Sequence, residues 1–178
     1  MGFIFETERI GFREWRAADR AEFARMNGDP LIMQYLPRSL NEAESDHLVD
    51  KFEAHFAAHG FGLYALERKE DGAFMGFTGL QHVPFDADFT PAVEIAWRLD
   101  YGFWGQGYGS EAAQAVLAHG VGELGLAEIV GFTVHDNARS IAVMAKIGMV
   151  RDVGGDFDYP GMRKDHPLGA FVLYRATT

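Results

Sequence analysis

Three glycines at alternate positions, Gly105, Gly107 and Gly109, stand between an apolar run and a helical pattern. Glycine has no Cβ, so such a loop can turn sharply and leave its N–H groups uncovered. The helix that follows adds unpaired N–H groups and a partial positive charge at its start. This combination suits a phosphate or pyrophosphate held by backbone amides. A P-loop would need Gly-Lys-Ser/Thr, which is missing, and a dinucleotide fingerprint would need G-x-G-x-x-G early in a βαβ unit. Here the spacing is G-x-G-x-G, followed by Ser110-Glu111-Ala112. Taken alone, such a loop is weak evidence, and an ordinary flexible turn is its alternative.

Seven histidines raise the question of a metal. His55 and His59 lie at i and i+4 on one helix, a ligand-compatible spacing. No Glu follows His55 and no third ligand stands out, so the reading is a solvated helix face and no metal site. His82, His119, His135 and His166 are scattered, with His166 in a tail loop. The absence of cysteine excludes disulfides, Cys-based metal centres and a cysteine nucleophile. A formal net charge of −10 argues against nucleic acid, which needs a cationic footprint. No run approaches the roughly 20 apolar residues of a spanning helix, and the start lacks the pattern of a signal peptide. The expectation is a cytoplasmic protein with no membrane partner.

The elements that must position the glycine loop are legible in outline. A first strand is expected near 7–13. A helix follows over about 17–26, broken by Asp29-Pro30. Asn41 and Glu44 form a capping-box pattern for a second helix, which carries Leu48, Val49, Phe52 and Phe56 and stops at Gly60. Runs at 61–68 and 73–82 flank Asp71-Gly72, a hairpin signal, and 92–99 completes an antiparallel meander. After the glycines comes a helix with Ala113, Val116, Leu117, Val121 and Leu124 on one face. A strand at 129–134 leads to a helix at 137–146 with Ile141, Met144 and Ala145 inward. A polar loop over 151–169 and a strand at 171–174 end the chain. The order β-α-α-β-β-β-α-β-α-β-β is α+β in one domain spanning 1–178.

Two ordered motifs identify a family. Glu94-Ile95-Ala96-Trp97-Arg98-Leu99-Asp100, then Trp104-Gly105-Gln106-Gly107-Tyr108-Gly109-Ser110-Glu111-Ala112, resembles the acetyl-CoA motif of the GNAT N-acetyltransferases. Asn137-Ala138-Arg139-Ser140 and Met144-Ala145-Lys146-Ile147-Gly148-Met149 resemble the family's second motif. The opening Glu6–Ile10, the segment Asp156–Pro160 and Val172–Arg175 are similar to the subgroup of Rim-type ribosomal-protein alanine N-acetyltransferases. Trp104 departs from the Gln or Arg that often begins the family's loop. Amides rather than that side chain do the binding.

The resemblance implies a mixed, mostly antiparallel central sheet with helices on both faces. In it two parallel strands, here 92–99 and 127–134, splay into a V that receives acetyl-CoA. It implies that the pantetheine arm pairs near Trp97, Arg98 and Leu99. The pyrophosphate would sit on Gly105, Gln106, Gly107, Tyr108, Gly109 and Ser110, next to Trp104. Asn137 would hydrogen-bond the pantetheine arm and Arg139 would reach a CoA phosphate, unless it is an ordinary solvated helix residue. Many relatives carry a tyrosine acid where this chain has Met144, which donates no proton. Ser140 is the candidate acid, with helix capping as its structural alternative.

Transfer to an amine by direct attack needs a base but no enzyme nucleophile. Glu94 is the candidate base, because it interrupts an apolar stretch on the cofactor strand, where desolvation raises a carboxyl pKa. A structural or substrate-orienting carboxylate is the alternative. Trp15, Tyr35 and Phe157 fall in segments that can wall the acceptor site. The resulting expectation is an acetyl-CoA-dependent N-acetyltransferase acting on a primary amine. Peptide N-terminus, polyamine, amino acid and aminoglycoside all fit, and the subgroup likeness favours a protein or peptide N-terminus. A catalytically weak acyl-CoA sensor is the alternative class. Homodimers are common in the family, so a homodimer is among the implied partners.

Overall fold

The computed structural model describes residues 2–163 and 165–177. Its eight strands are β1 (Phe5–Glu6), β2 (Ile10–Arg13), β3 (Leu63–Arg68), β4 (Phe74–His82), β5 (Val93–Leu99), β6 (Glu128–Val134), β7 (Val150–Asp158) and β8 (Ala170–Thr177). They form one sheet in the order β1-β2-β3-β4-β5-β6-β8-β7. Every neighbouring pair is antiparallel except β5 and β6. Four helices cover the faces: α1 (Asp19–Gly28), α2 (Glu42–His59), α3 (Tyr108–Gly122) and α4 (Ala138–Lys146).

Local chemistry accounts for several boundaries. Asn41 and Glu44 make both bonds of the capping box at the start of α2, and Gly60, at φ +77°, closes it in the left-handed region. Helix α1 starts beside a buried ion pair. Asp19 receives two bonds from Arg13, at 2.7 and 2.8 Å, and one from the Arg16 amide at 2.7 Å. It ends at Gly28, ahead of Asp29-Pro30.

The sheet separates two apolar clusters. On one face α1 and α2 pack Phe23, Met26, Val49 and Phe52 against Leu63, Ala65 and Phe77. On the other, α3 and α4 pack Ala112, Ala113, Val116, Leu117 and Met144 against Leu80, Ile95 and Ile129. Side chains alternate along each strand, so β5 serves both clusters: Ile95 and Leu99 belong to the second, and Ala96 packs on the first.

Three expectations need correction. The segment 151–158 is not loop but most of β7, paired to β8 at Val150–Asp152 and again at Phe157–Asp158. The irregularity between them is turned by Asp152, whose carboxylate accepts from the Gly155 amide at 3.1 Å. Val121 of α3 is 37% exposed, because Gly120 is the residue that meets the sheet. A Cβ at Gly120 would come within 2.7 Å of Ile129 and Leu80. Ala145 of α4 faces outward, while Met144 and Ile147 are buried.

Candidate active site

The ladder between the parallel strands β5 and β6 consists of a single pair, Glu94 opposite Val130. Beyond it β5 remains paired to β4 through Leu99 and β6 to β8 through Val134, so the facing edges of β5 and β6 open into a cleft. Glu94 therefore stands at the fork of the V. It is 7% exposed, and burial pushes its carboxyl up to about 7, against the lowering effect of the Gln81 hydrogen bond. Gln81 donates from Nε2 to Glu94 Oε1 at 2.6 Å, which leaves Oε2 without a partner among the described residues.

The remaining β5 residues are held by α1 and by the loop after them. Arg98 donates to Asn27 Oδ1, and Asn27 donates to Ser45 Oγ at 2.9 Å. The half-buried Arg98 guanidinium lies over Phe23 and Phe77, and burial pushes it down to about 10. It is still charged at neutral pH. Arg25 pairs with Asp100, whose other oxygen accepts the Gly102 amide at 2.8 Å. Trp97 is half-buried against the core. The carbonyl of Leu99 already accepts from the Trp104 indole at 2.9 Å.

Gly105 and Gly107 adopt left-handed φ of +73° and +83°, so the loop is one that residues with a Cβ rarely follow. Gly107 caps α3 without a side-chain hydrogen bond, and a Cβ at Gly105 or Gly109 would meet no heavy atom within 4 Å. The amides at this helix start are thus uncovered, and the loop fits a pyrophosphate. Gln106 folds back, donating to the Gly102 carbonyl at 2.8 Å. Tyr108 is buried, its ring 4.2 Å beneath the Arg9 guanidinium.

Arg9 is a loop-shaping residue that sequence reasoning missed. It donates to Glu111 Oε2 from Nε at 2.7 Å and to the Gln106 carbonyl at 3.2 Å. Thr7 donates to the other Glu111 oxygen at 2.6 Å. Against the opposing effect of burial, these bonds hold the Glu111 carboxyl below its ordinary range. The only sequence signal was the match of Glu6–Ile10 to a subgroup; the partner lies 102 residues away.

On the far side of the cleft, α4 brings Arg139 to 4.4 Å from the Trp104 ring centroid. Asn137 caps α4: its Oδ1 accepts the Ser140 amide at 3.2 Å, and its Nδ2 donates to Thr133 Oγ1 and Ser140 Oγ at 2.9 and 3.0 Å. Ser140 keeps its hydroxyl proton to donate. Met144 is 1% exposed in the core, with its sulfur under Gly131.

An aromatic cluster lies on the same face of the sheet as Glu94. Phe85 lies 5.0 Å from Tyr159 and 5.8 Å from Phe132, and Phe89 lies 5.0 Å from Phe157. Phe171 completes the group against Phe157 and Tyr159. All six rings are half-buried. Strand register puts Phe132, Phe157 and Phe171 on the face of Val130 and hence of Glu94. Burial, and then the Glu94 charge, raise the Tyr159 phenol. Of the expected wall residues, Phe157 is in this group. Trp15 instead lies in the α1–α2 core, 9% exposed, its indole donating to the Leu63 carbonyl at 2.8 Å. Tyr35 is half-buried in the turns after α1.

Residues 9–150 match the acetyltransferase (GNAT) domain model. An N-acetyltransferase of Bacillus subtilis, itself named as uncharacterized, is 28% identical over 148 residues, covering 82% of each chain. An acetyltransferase structure from Agrobacterium tumefaciens superposes with a TM-score of 0.79 at 24% identity, covering 98% of this chain and 94% of that one. A spermidine N-acetyltransferase from Vibrio cholerae, solved with CoA and spermine, gives 0.74 at 13% identity, covering 96% of both. The chain belongs to the GNAT acetyltransferase family and is an N-acetyltransferase that uses acetyl-CoA.

Proposed function

We propose that this enzyme acetylates the N-terminal amine of a peptide or protein by direct attack, with Glu94 as the general base. The observation that carries the base assignment is a desolvated carboxyl at the fork of the cleft, tuned to about 7 and bonded through one oxygen only. Bound acetyl-CoA supplies the acetyl thioester. The amides from Gly105 to Ser110 hold its pyrophosphate, and Arg139 adds a cation at the mouth. Glu94 Oε2 takes the proton from the attacking amine. Ser140, its Oγ already accepting from Asn137, passes its hydroxyl proton to the departing sulfur as it takes one from solvent water.

The half-buried rings from Phe85 to Phe171 support an acceptor that carries an apolar side chain next to its amine. A polyamine would need further carboxylates within the pocket, and the rings on the Glu94 face of the sheet carry no charge. Rates of thiol release with acetyl-CoA test this on tripeptides with varied first residues, spermidine and an aminoglycoside. The expectation is a kcat/KM about tenfold or more higher for peptides with an apolar first residue, or ~1.4 kcal/mol of transition-state binding. Faster turnover of spermidine or the aminoglycoside would refute the acceptor assignment.

A further inference from the structure

The two histidines spaced i, i+4 on α2 have a third companion that the sequence did not reveal. His82, the last residue of β4, brings its ring centroid to 4.6 Å from that of His59 and 5.6 Å from that of His55. His55 and His59 are 4.5 Å apart. One ring nitrogen from each lies within 4.8 Å of the others. We propose that His55, His59 and His82 form a binding site for a divalent transition metal such as Zn2+, separate from the acetyl-CoA cleft.

Three features favour ligation over a chance cluster. Phe61, 8% exposed, lies against all three rings and gives the site an apolar floor. His55 Nδ1 is 3.0 Å from the Phe61 carbonyl, which can only accept, so Nδ1 carries the proton and Nε2 presents its lone pair. Imidazole ligands commonly have this backing, the second ring N–H fixed by a carbonyl. His59 and His82 are exposed and their rings have no hydrogen-bond partner among the described residues, so both can turn. Zinc–nitrogen bonds of about 2.0–2.1 Å ask for nitrogens about 3.3 Å apart, a modest closure from the present spacing.

In the structure the His55 lone pair is engaged: Nε2 accepts the His82 amide at 3.1 Å. That amide is at a strand end, and on metal binding it exchanges this bond for water. Three imidazoles leave a fourth position for water, in the manner of open zinc sites built from three histidines. The site ties the C-terminal turn of α2 to the end of β4, one residue beyond Gln81.

The test is titration of the full-length, tag-free chain with Zn2+ against a chromophoric chelator. The wild type should bind one Zn2+ per chain, and its Tm should rise with Zn2+. His59→Ala and His82→Ala should each weaken binding about tenfold or more and abolish the Tm rise, the scale of losing a supporting interaction or a ligand. Both positions are exposed, and melts without metal check that the variants fold. His47→Ala, a histidine elsewhere on α2, should bind as the wild type does. Failure of the wild type to compete with the chelator overturns the proposal. So does affinity unchanged in His82→Ala, or an equal loss in His47→Ala.

Discussion

The Arg139 guanidinium stacks 4.4 Å from the centroid of the Trp104 indole, so the first turn of α4 touches the loop that leads into α3. The same indole donates to the Leu99 carbonyl. Cation, ring and strand end thus form a relay across the mouth of the cleft. An exposed contact of this type contributes about 0.5–1 kcal/mol.

Arg139→Ala is therefore expected to leave the fold nearly as stable while weakening CoA binding about fivefold. That corresponds to the ~1 kcal/mol at the top of the range for an exposed ion pair. Calorimetric titration at two ionic strengths should also show a smaller salt dependence in the variant. An unchanged Kd would remove Arg139 from the CoA contacts.

Two glycines separate backbone strain from ligand space. Gly107→Val forces a Cβ at φ +83°, a cost of about 1–2 kcal/mol, and covers the amides, so CoA binding should be lost. Gly109 does not adopt a positive φ, and a Cβ there meets nothing within 4 Å. Gly109→Val should thus keep the Tm within a few degrees and still weaken CoA binding. Full CoA affinity in both variants would place the pyrophosphate elsewhere.

Glu94 sets a pH dependence for the rate. Protonated below about 7 it cannot accept a proton; ionised above, it can. The kcat/KM profile should climb through a limb near that value, below the limb of a peptide amine, which ordinarily titrates near 8. Glu94→Gln should delete the lower limb and slow the reaction about a hundredfold or more around pH 7, converging toward wild type as the amine loses its proton unaided. Identical profiles would eliminate Glu94 as the base.

The same substitution should stabilise the fold, with a sign fixed by linkage. The folded carboxyl titrates at about 7 and the unfolded one near its ordinary 4.5, so between these values the folded state binds more protons. Stability therefore falls as pH rises through this window and stays lower above it. Glu94→Gln should gain up to about 3 kcal/mol at pH 8 and almost nothing at pH 4. Denaturant titrations at both pH values measure it. Equal effects at the two would mean that the carboxyl is not desolvated.

Features encoded by neighbouring residues were legible in the sequence: the Asn41–Glu44 box, the stop at Gly60 and the glycine loop. What the sequence hid depends on long-range register. Strand β7 reads as loop because Gly154-Gly155 and three aspartates interrupt any alternation, and only its pairing with β8 makes it a strand. Gln81 finds Glu94 through the β4–β5 register, which the ten-residue connection between those strands leaves open. Arg9 and His82 were ordinary surface residues until the sheet brought them to Glu111 and His59. Trp15 looked like a wall residue, yet its indole had a carbonyl to satisfy inside the core.

The single rung at Glu94 has a mechanical consequence. In hydrogen-bonding terms the molecule is two sheets, one of five strands and one of three, buttoned together at one residue. The unpaired edges of β5 and β6 are open seats for a guest backbone. An extended molecule with amide groups, such as the pantetheine arm, can act there as a partial ninth strand and stitch the halves shut. Cosubstrate binding and closure of the sheet would then be one event, with Glu94 at the seam where that event begins.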